Sequence, residues 1–175
     1  MQPPADGRAT CFREAAAHLL PPLVAGERVA FATLGDPNVY STFSSLAREV
    51  RSLRPTVTVE TVPGIMAFQD LAARASTVLL AGAERLSLVT ALGGPEALDP
   101  VLEDPTAAVV VYKGGRHLPG IAKRLAAAGR LDGAVVGELL GLPGQRVAPA
   151  ADVADAPATY LATVIIPPAA NGAAR

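Results

Sequence analysis

The run Arg28-Val29-Ala30-Phe31-Ala32-Thr33 leads directly into Leu34-Gly35-Asp36-Pro37-Asn38-Val39-Tyr40-Ser41-Thr42-Phe43. The first part is apolar and β-prone and reads as a strand. Gly-Asp-Pro supplies a turn, and a helix-like segment follows. Such a strand–turn–helix junction aims backbone N–H groups and small polar side chains at whatever occupies the strand's carboxyl end. In open α/β folds ligands bind at that end. The stretch therefore predicts an α/β chain with a ligand site at this turn.

Working outward, the alternation continues. Ala9–Leu20 reads as a helix broken by Pro21-Pro22, with Gly26 at its end. Val39–Leu53 places Val39, Phe43, Leu46, Val50 and Leu53 near helical spacing. Thr56–Val62 alternates as a strand rich in β-branched residues. A helix over Ile65–Ala75, a strand over Leu86–Ala91 and a short helix from Pro95 to Leu102 come next. Ala107–Tyr112 is a continuous apolar strand buried on both faces. Leu118–Ala128 is a helix. Gly133–Glu138, Arg146–Ala148 and Thr159–Ile166 are strands, and the thinning of helices there predicts a mixed sheet. Residues 167–175 read as a frayed tail. A composition shift at Ala81–Arg85 suggests a boundary, giving an N-terminal α/β domain over 1–82, a C-terminal one over 83–168 and a flexible tail over 169–175.

Composition narrows the function. The chain has 175 residues, is half hydrophobic and carries a net charge of −1. That excludes a disordered segment. The basic residues are scattered rather than striped, which argues against nucleic acid as a partner. Cys11 is the single cysteine, so no disulfide framework or thiolate zinc cluster forms within one chain. It reads as a small hydrophobe on a helix. His18 and His117 do not have metal-pair spacing. Met1–Thr10 has no signal-peptide character and no uncharged apolar run is long enough to span a membrane. A cytoplasmic protein without a membrane partner is expected.

Three glycine-bearing turns each follow a strand and precede a helix: Leu34–Pro37, Val62–Ala67 and Tyr112–Arg116. Each alone is explained as an ordinary βα turn. Three in succession give a shared cleft equal standing. Asp36 is expected to hold its own turn through side-chain-to-backbone bonds. Glu60 is a surface residue or a base. Lys113 and Arg116 are solvated charges or anion-binding groups, and Tyr40 and Phe43 are core or cleft.

Gly35-Asp36-Pro37 with Tyr40-Ser41-Thr42-Phe43, then Glu60-Thr61-Val62-Pro63-Gly64-Ile65 with Phe68-Gln69, resembles the tetrapyrrole (corrin/porphyrin) methylase family. Tyr112-Lys113-x-Gly115-Arg116 and the Tyr160-Leu161-Ala162-Thr163 strand fit as well. The Tyr-Ser-Thr-Phe string and the Val-Pro-Gly-Ile-x-x-Phe-Gln-x-x-Ala form (Val62 to Ala72) are similar to the branch that methylates precorrin-2 at carbon 20. The resemblance implies a two-domain α/β fold and an S-adenosylmethionine-dependent C-methyltransferase of cobalamin biosynthesis. Its substrate is precorrin-2, giving precorrin-3A, or the cobalt-containing ring. A homodimer is also implied. Carried over by position, Leu34, Gly35, Asp36, Val39, Met66, Ala67 and Lys113 would line the cofactor. Tyr40, Ser41, Thr42 and Arg116 would face the macrocycle, whose carboxylates suit Arg116, His117 and Lys113. No catalytic base is identified. Methyl transfer needs little covalent help from the protein, because positioning supplies much of the rate.

The chain departs from the family at its start. Relatives open with a strand and a Gly-x-Gly-Pro-Gly-Asp loop, which this sequence lacks, so the N-terminal domain is expected to be incomplete. Unpaired strand edges, weak stability or a covering partner, and impaired catalysis are the corresponding expectations. A non-catalytic remnant that only binds cofactor or partner is the alternative to an enzyme.

Overall fold

The computed structural model describes residues 5–169, with side chains from Ala9 onward. Packing divides the chain into two compact units that meet in sequence at Met66–Ala67. This grouping differs from the boundary expected at 82/83, because the helix after Met66 packs with the later sheet.

The first unit holds α1 (Ala5–Val24) and α2 (Phe43–Leu53). The expected break at Pro21 does not occur: α1 continues through both prolines to Val24. They fall in the last turn, where their carbonyls still accept. Ala25 N donates to Pro21 O (3.0 Å), Gly26 N to Leu23 O (3.3 Å) and Glu27 N to Pro22 O (3.0 Å). The last two form a Schellman closure around Gly26, whose φ of 81° suits glycine. Helix α2 begins at Phe43 rather than Val39, because Tyr40 is left-handed at φ 51°. The two helices share a small core of Ala16, Leu46 and Val50, with Phe12, Leu19, Leu23 and Val57 packed against it. Cys11 is exposed on α1 and takes no part in it.

Neither Arg28–Thr33 nor Thr56–Val62 forms a strand. A strand is a pairing, and β-propensity in one segment does not supply the partner. Among the described residues, these runs make no ladder. Val29 and Phe31 remain 40% and 46% exposed, although Phe31 packs its ring against Phe43 at 5.8 Å.

The second unit is a five-stranded mixed sheet with helices on both faces. Its elements are α3 (Ala67–Arg74), β1 (Leu86–Thr90), a 3₁₀ turn (Pro95–Leu98) running into α4 (Asp99–Leu102), and β2 (Ala108–Tyr112). A second 3₁₀ turn (Gly115–His117) runs into α5 (Leu118–Ala127), followed by β3 (Val135–Glu138), β4 (Arg146–Pro149), α6 (Ala150–Val153) and β5 (Thr163–Ile166). The strand order is β1-β2-β5-β3-β4. Strands β1 and β2 are parallel and the other pairings antiparallel, with Val110 opposite Ile165 and Glu138 opposite Arg146. The mixed sheet was legible in the sequence; α6 was not.

The two-residue period of the strands sorts the core. Val109, Val111, Val136, Val164 and Ile166 face Leu118, Ile121 and Leu125 of α5. Ala108, Val110, Val135 and Ile165 face Leu71 of α3. Burial of β2 on both faces follows from this layering.

Two C-terminal expectations need correction. Tyr160 and Leu161 form an exposed turn instead of opening β5, which Ala162 N closes by donating to Thr159 O at 3.0 Å. Pro167 and Pro168 are buried rather than frayed, and Arg130 reaches the first of them. Its Nη2 donates to Ala107 O and Pro167 O, both at 2.7 Å. Burial lowers the Arg130 pKa, with Asp104 acting in the opposite direction. Ala169 N donates to Pro105 O. The rest of the expected tail, 170–175, lies outside the described residues.

Candidate functional site

In the first unit, two of the three glycine turns come together. Asp36 links them: its Oδ1 accepts from Asn38 N at 2.8 Å and its Oδ2 from Gly64 N at 3.2 Å. Both carboxylate oxygens are thus engaged by backbone, as the turn-holding role expects. Gly64 rests on the carbonyl of Gly35 so closely that a Cβ there would sit 2.3 Å from the oxygen. Gly35 has φ 70°, and a Cβ added to it would lie 3.8 Å from the Cα of Met66. Residues 34–36 and 64–66 therefore form one folded platform.

The apolar side chains at this platform point into solvent within the unit. Leu34 is 79% exposed, Val62 82% and Ile65 76%. A cavity of about 550 Å³ adjoins it, lined by Leu19 and Leu23 of α1, Phe43 and Leu46 of α2, the 29–33 run, and Pro63-Gly64. Val39 is half-buried, and its N–H donates to Asp36 O at 3.3 Å. Tyr40 is exposed, not core. Ser41 is occupied locally: its Oγ accepts from Phe43 N and lies 3.1 Å from Thr33 Oγ1. The bond from Phe43 N holds the turn entering α2, whose N-cap, Thr42, is exposed and makes no side-chain capping bond. Glu60 is exposed on the unpaired run.

The third turn belongs to the second unit. Tyr112, at the end of β2, accepts from Phe68 N through its hydroxyl at 3.2 Å. That bond satisfies an N–H of the first turn of α3. Lys113 is left-handed at φ 57°. Arg116 spans the loops after β1 and β2: Nη2 donates to Leu92 O, and Nε donates to His117 Nε2 at 3.0 Å. Gly115 packs on the 158–159 backbone, where a Cβ would come within 2.0 Å of Thr159 O.

One buried acid went unnoticed in the sequence. Glu138, 6% exposed at the end of β3, accepts from Arg146 on β4 and from Thr159 N at 2.7 Å. Burial pushes its pKa up, but the Thr159 N–H and Arg146 outweigh that and hold it below the usual glutamate value. The signal was present: a carboxylate ending an apolar strand, with an arginine opposite in the next.

The family model described as Tetrapyrrole (Corrin/Porphyrin) Methylases matches residues 1–155. The chain belongs to this family. The chain is 36% identical over 145 residues to a precorrin-2 C(20)-methyltransferase of Sinorhizobium sp, a match covering 83% of this chain and 58% of that protein. It is 30% identical over 144 residues to a cobalt-precorrin-2 C(20)-methyltransferase of Salmonella typhimurium, covering 81% and 59%. It thus spans less than two thirds of these methylases. A cobalt precorrin-4 methyltransferase structure superposes with a TM-score of 0.71 at 18% identity, over 89% of this chain and 70% of that one. A uroporphyrin-III C-methyl transferase from Thermus thermophilus, complexed with S-adenyl homocysteine, gives 0.53 at 26% identity, over 78% and 64%. The α/β architecture is that of a tetrapyrrole methylase.

Proposed function

We propose that this chain provides the S-adenosylmethionine-dependent methylation of precorrin-2 at carbon 20, yielding precorrin-3A in cobalamin biosynthesis. The observation that carries the reading is the Gly35–Asp36–Gly64 platform, built from the residues that carry the family resemblance. Its chemistry fits the donor. The glycines let the two turns seat directly on each other, and the exposed Leu34 and Ile65 offer apolar surface to an adenosyl group. Bound there, S-adenosylmethionine supplies an activated methyl group.

The protein's part is binding and orientation. Asp36 holds the platform in shape and does not act as a base. Leu34, Gly35, Asp36, Val39, Met66, Ala67 and Lys113 are assigned to the donor, and Tyr40, Ser41, Thr42 and Arg116 to the macrocycle. Ser41 acts by fixing the start of α2, given its hydrogen bonds. Arg116 retains a forked guanidinium suited to the ring's carboxylates. The cobalt-bearing ring is the alternative substrate, favoured by the similar match to its methyltransferase. Binding of cofactor or ring without turnover is the other alternative.

The same reading includes the division at 82/83, a homodimer and a cytoplasmic location. No described helix is long and apolar enough to cross a membrane. Calorimetry with S-adenosylmethionine, followed by a methylation assay on metal-free and cobalt-loaded precorrin-2, tests it. Methyl transfer to carbon 20 supports the enzyme. Donor binding without transfer rejects catalysis by this chain, and failure of folded protein to bind either ligand rejects both readings.

A further inference from the structure

We infer that Glu138 is a positioning residue for the Lys113–Arg116 turn, acting through the 158–159 backbone. The inference rests on the assignment of Lys113 to the donor and Arg116 to the macrocycle. The path is a short series of contacts. Glu138 Oε1 accepts from Thr159 N at 2.7 Å. The neighbouring Ala158 N donates to Gly115 O at 2.8 Å. The carbonyls of Ala158 and Thr159 leave no room for a Cβ on Gly115, at 2.7 and 2.0 Å. The 158–159 backbone is therefore pinned on one side by a buried carboxylate and seated on the other against the turn. The flanking residues have little regular structure to hold them: 157–159 belong to no helix or strand, and Tyr160-Leu161 is an exposed turn.

The second partner of Glu138 provides the internal control. Arg146 Nε donates to Oε2 at 2.7 Å, and its side chain is 48% exposed. A purely structural Glu138 would tie β3 to β4, and losing either partner would then have the same effect. A positioning Glu138 acts through Oε1, so removing Arg146 leaves the path to Gly115 in place.

The test compares Glu138→Leu with Arg146→Ala in the full chain. Amide exchange and ¹⁵N–¹H shifts report on Gly114–Arg116 and Thr159, and calorimetry reports S-adenosylmethionine affinity. Glu138→Leu is expected to speed exchange at Thr159, shift the turn amides and weaken donor binding roughly tenfold. Arg146→Ala is expected to leave turn and affinity near wild type. Should Glu138→Leu fail to fold, Glu138→Gln carries the test, since a neutral acceptor weakens the Thr159 bond and must quicken its exchange. Equal effects of the Glu138 and Arg146 variants, or an unmoved turn, overturn the inference. A turn that moves as expected in Glu138→Leu, while the wild-type chain binds no donor, rejects the cofactor reading and leaves the positioning of the turn supported.

Discussion

Gly64→Ala is the most direct probe of the platform. The added methyl would lie 2.3 Å from the carbonyl oxygen of Gly35 and 3.0 Å from its carbon. Those atoms are backbone, so the whole 63–65 turn must move. Overpacking of this kind costs ~1–3 kcal/mol. The displaced turn also loses the Gly64 N–H to Asp36 bond, worth about 0.5–1 kcal/mol at this exposed position. The sum is about 1.5–4 kcal/mol, or a fall in melting temperature of roughly 3–16 °C for a chain of this size. Circular dichroism melts of the variant beside Gly93→Ala provide the assay. At Gly93 a Cβ meets nothing within 4 Å, so that control should melt with the wild type. Asp36→Asn gives a further check. Its cost should be smaller in the Gly64→Ala background, because the bond it weakens is already lost. A melting temperature within about 1 °C of wild type for Gly64→Ala would refute the seating of one turn on the other. Donor affinity should fall with stability if the platform holds S-adenosylmethionine.

Other substitutions probe the second unit. Gly115→Ala places a methyl 2.0 Å from Thr159 O and should destabilise by about 2–4 kcal/mol in urea titrations, with Lys113–Arg116 amides displaced. Arg130→Met strands the carbonyls of Ala107 and Pro167 and should cost roughly 3 kcal/mol by the same titration. Tyr112→Phe removes the acceptor for Phe68 N and should cost about 1 kcal/mol, with faster amide exchange at Phe68. Glu138 sets an acid limit. Its folded pKa lies below the ordinary 4.5, so its contribution is complete above that value and is lost as pH falls through the depressed one. Melting temperatures taken from pH 6 down to about 3 should drop more steeply in wild type than in Glu138→Gln.

The second unit was largely legible because its strands find partners within it. Ala107–Tyr112 and Thr163–Ile166 are apolar on both faces, and the sheet needs them so. The first unit was less so. Arg28–Thr33 and Thr56–Val62 carry strand propensity, but pairing depends on what lies alongside, which a local window does not contain. The helix limits moved for local reasons: left-handed Tyr40 delayed α2, and a Schellman closure carried α1 through Pro21-Pro22. At the site, the turn role of Asp36 was readable from Gly-Asp-Pro, whereas its grip on Gly64, 28 positions on, was a tertiary event. Glu138 escaped notice because its importance lies in Thr159, far along the chain.

Strand β4 closes one border of the sheet with only Arg146–Pro149. Proline has no hydrogen to offer a newcomer, and a half-exposed guanidinium at the other end resists dehydration. A foreign chain approaching this margin meets a short template with a mute last residue. Self-association of this protein should therefore leave the β4 rim uncovered, and engineering Pro149→Val would be the way to make that rim adhesive.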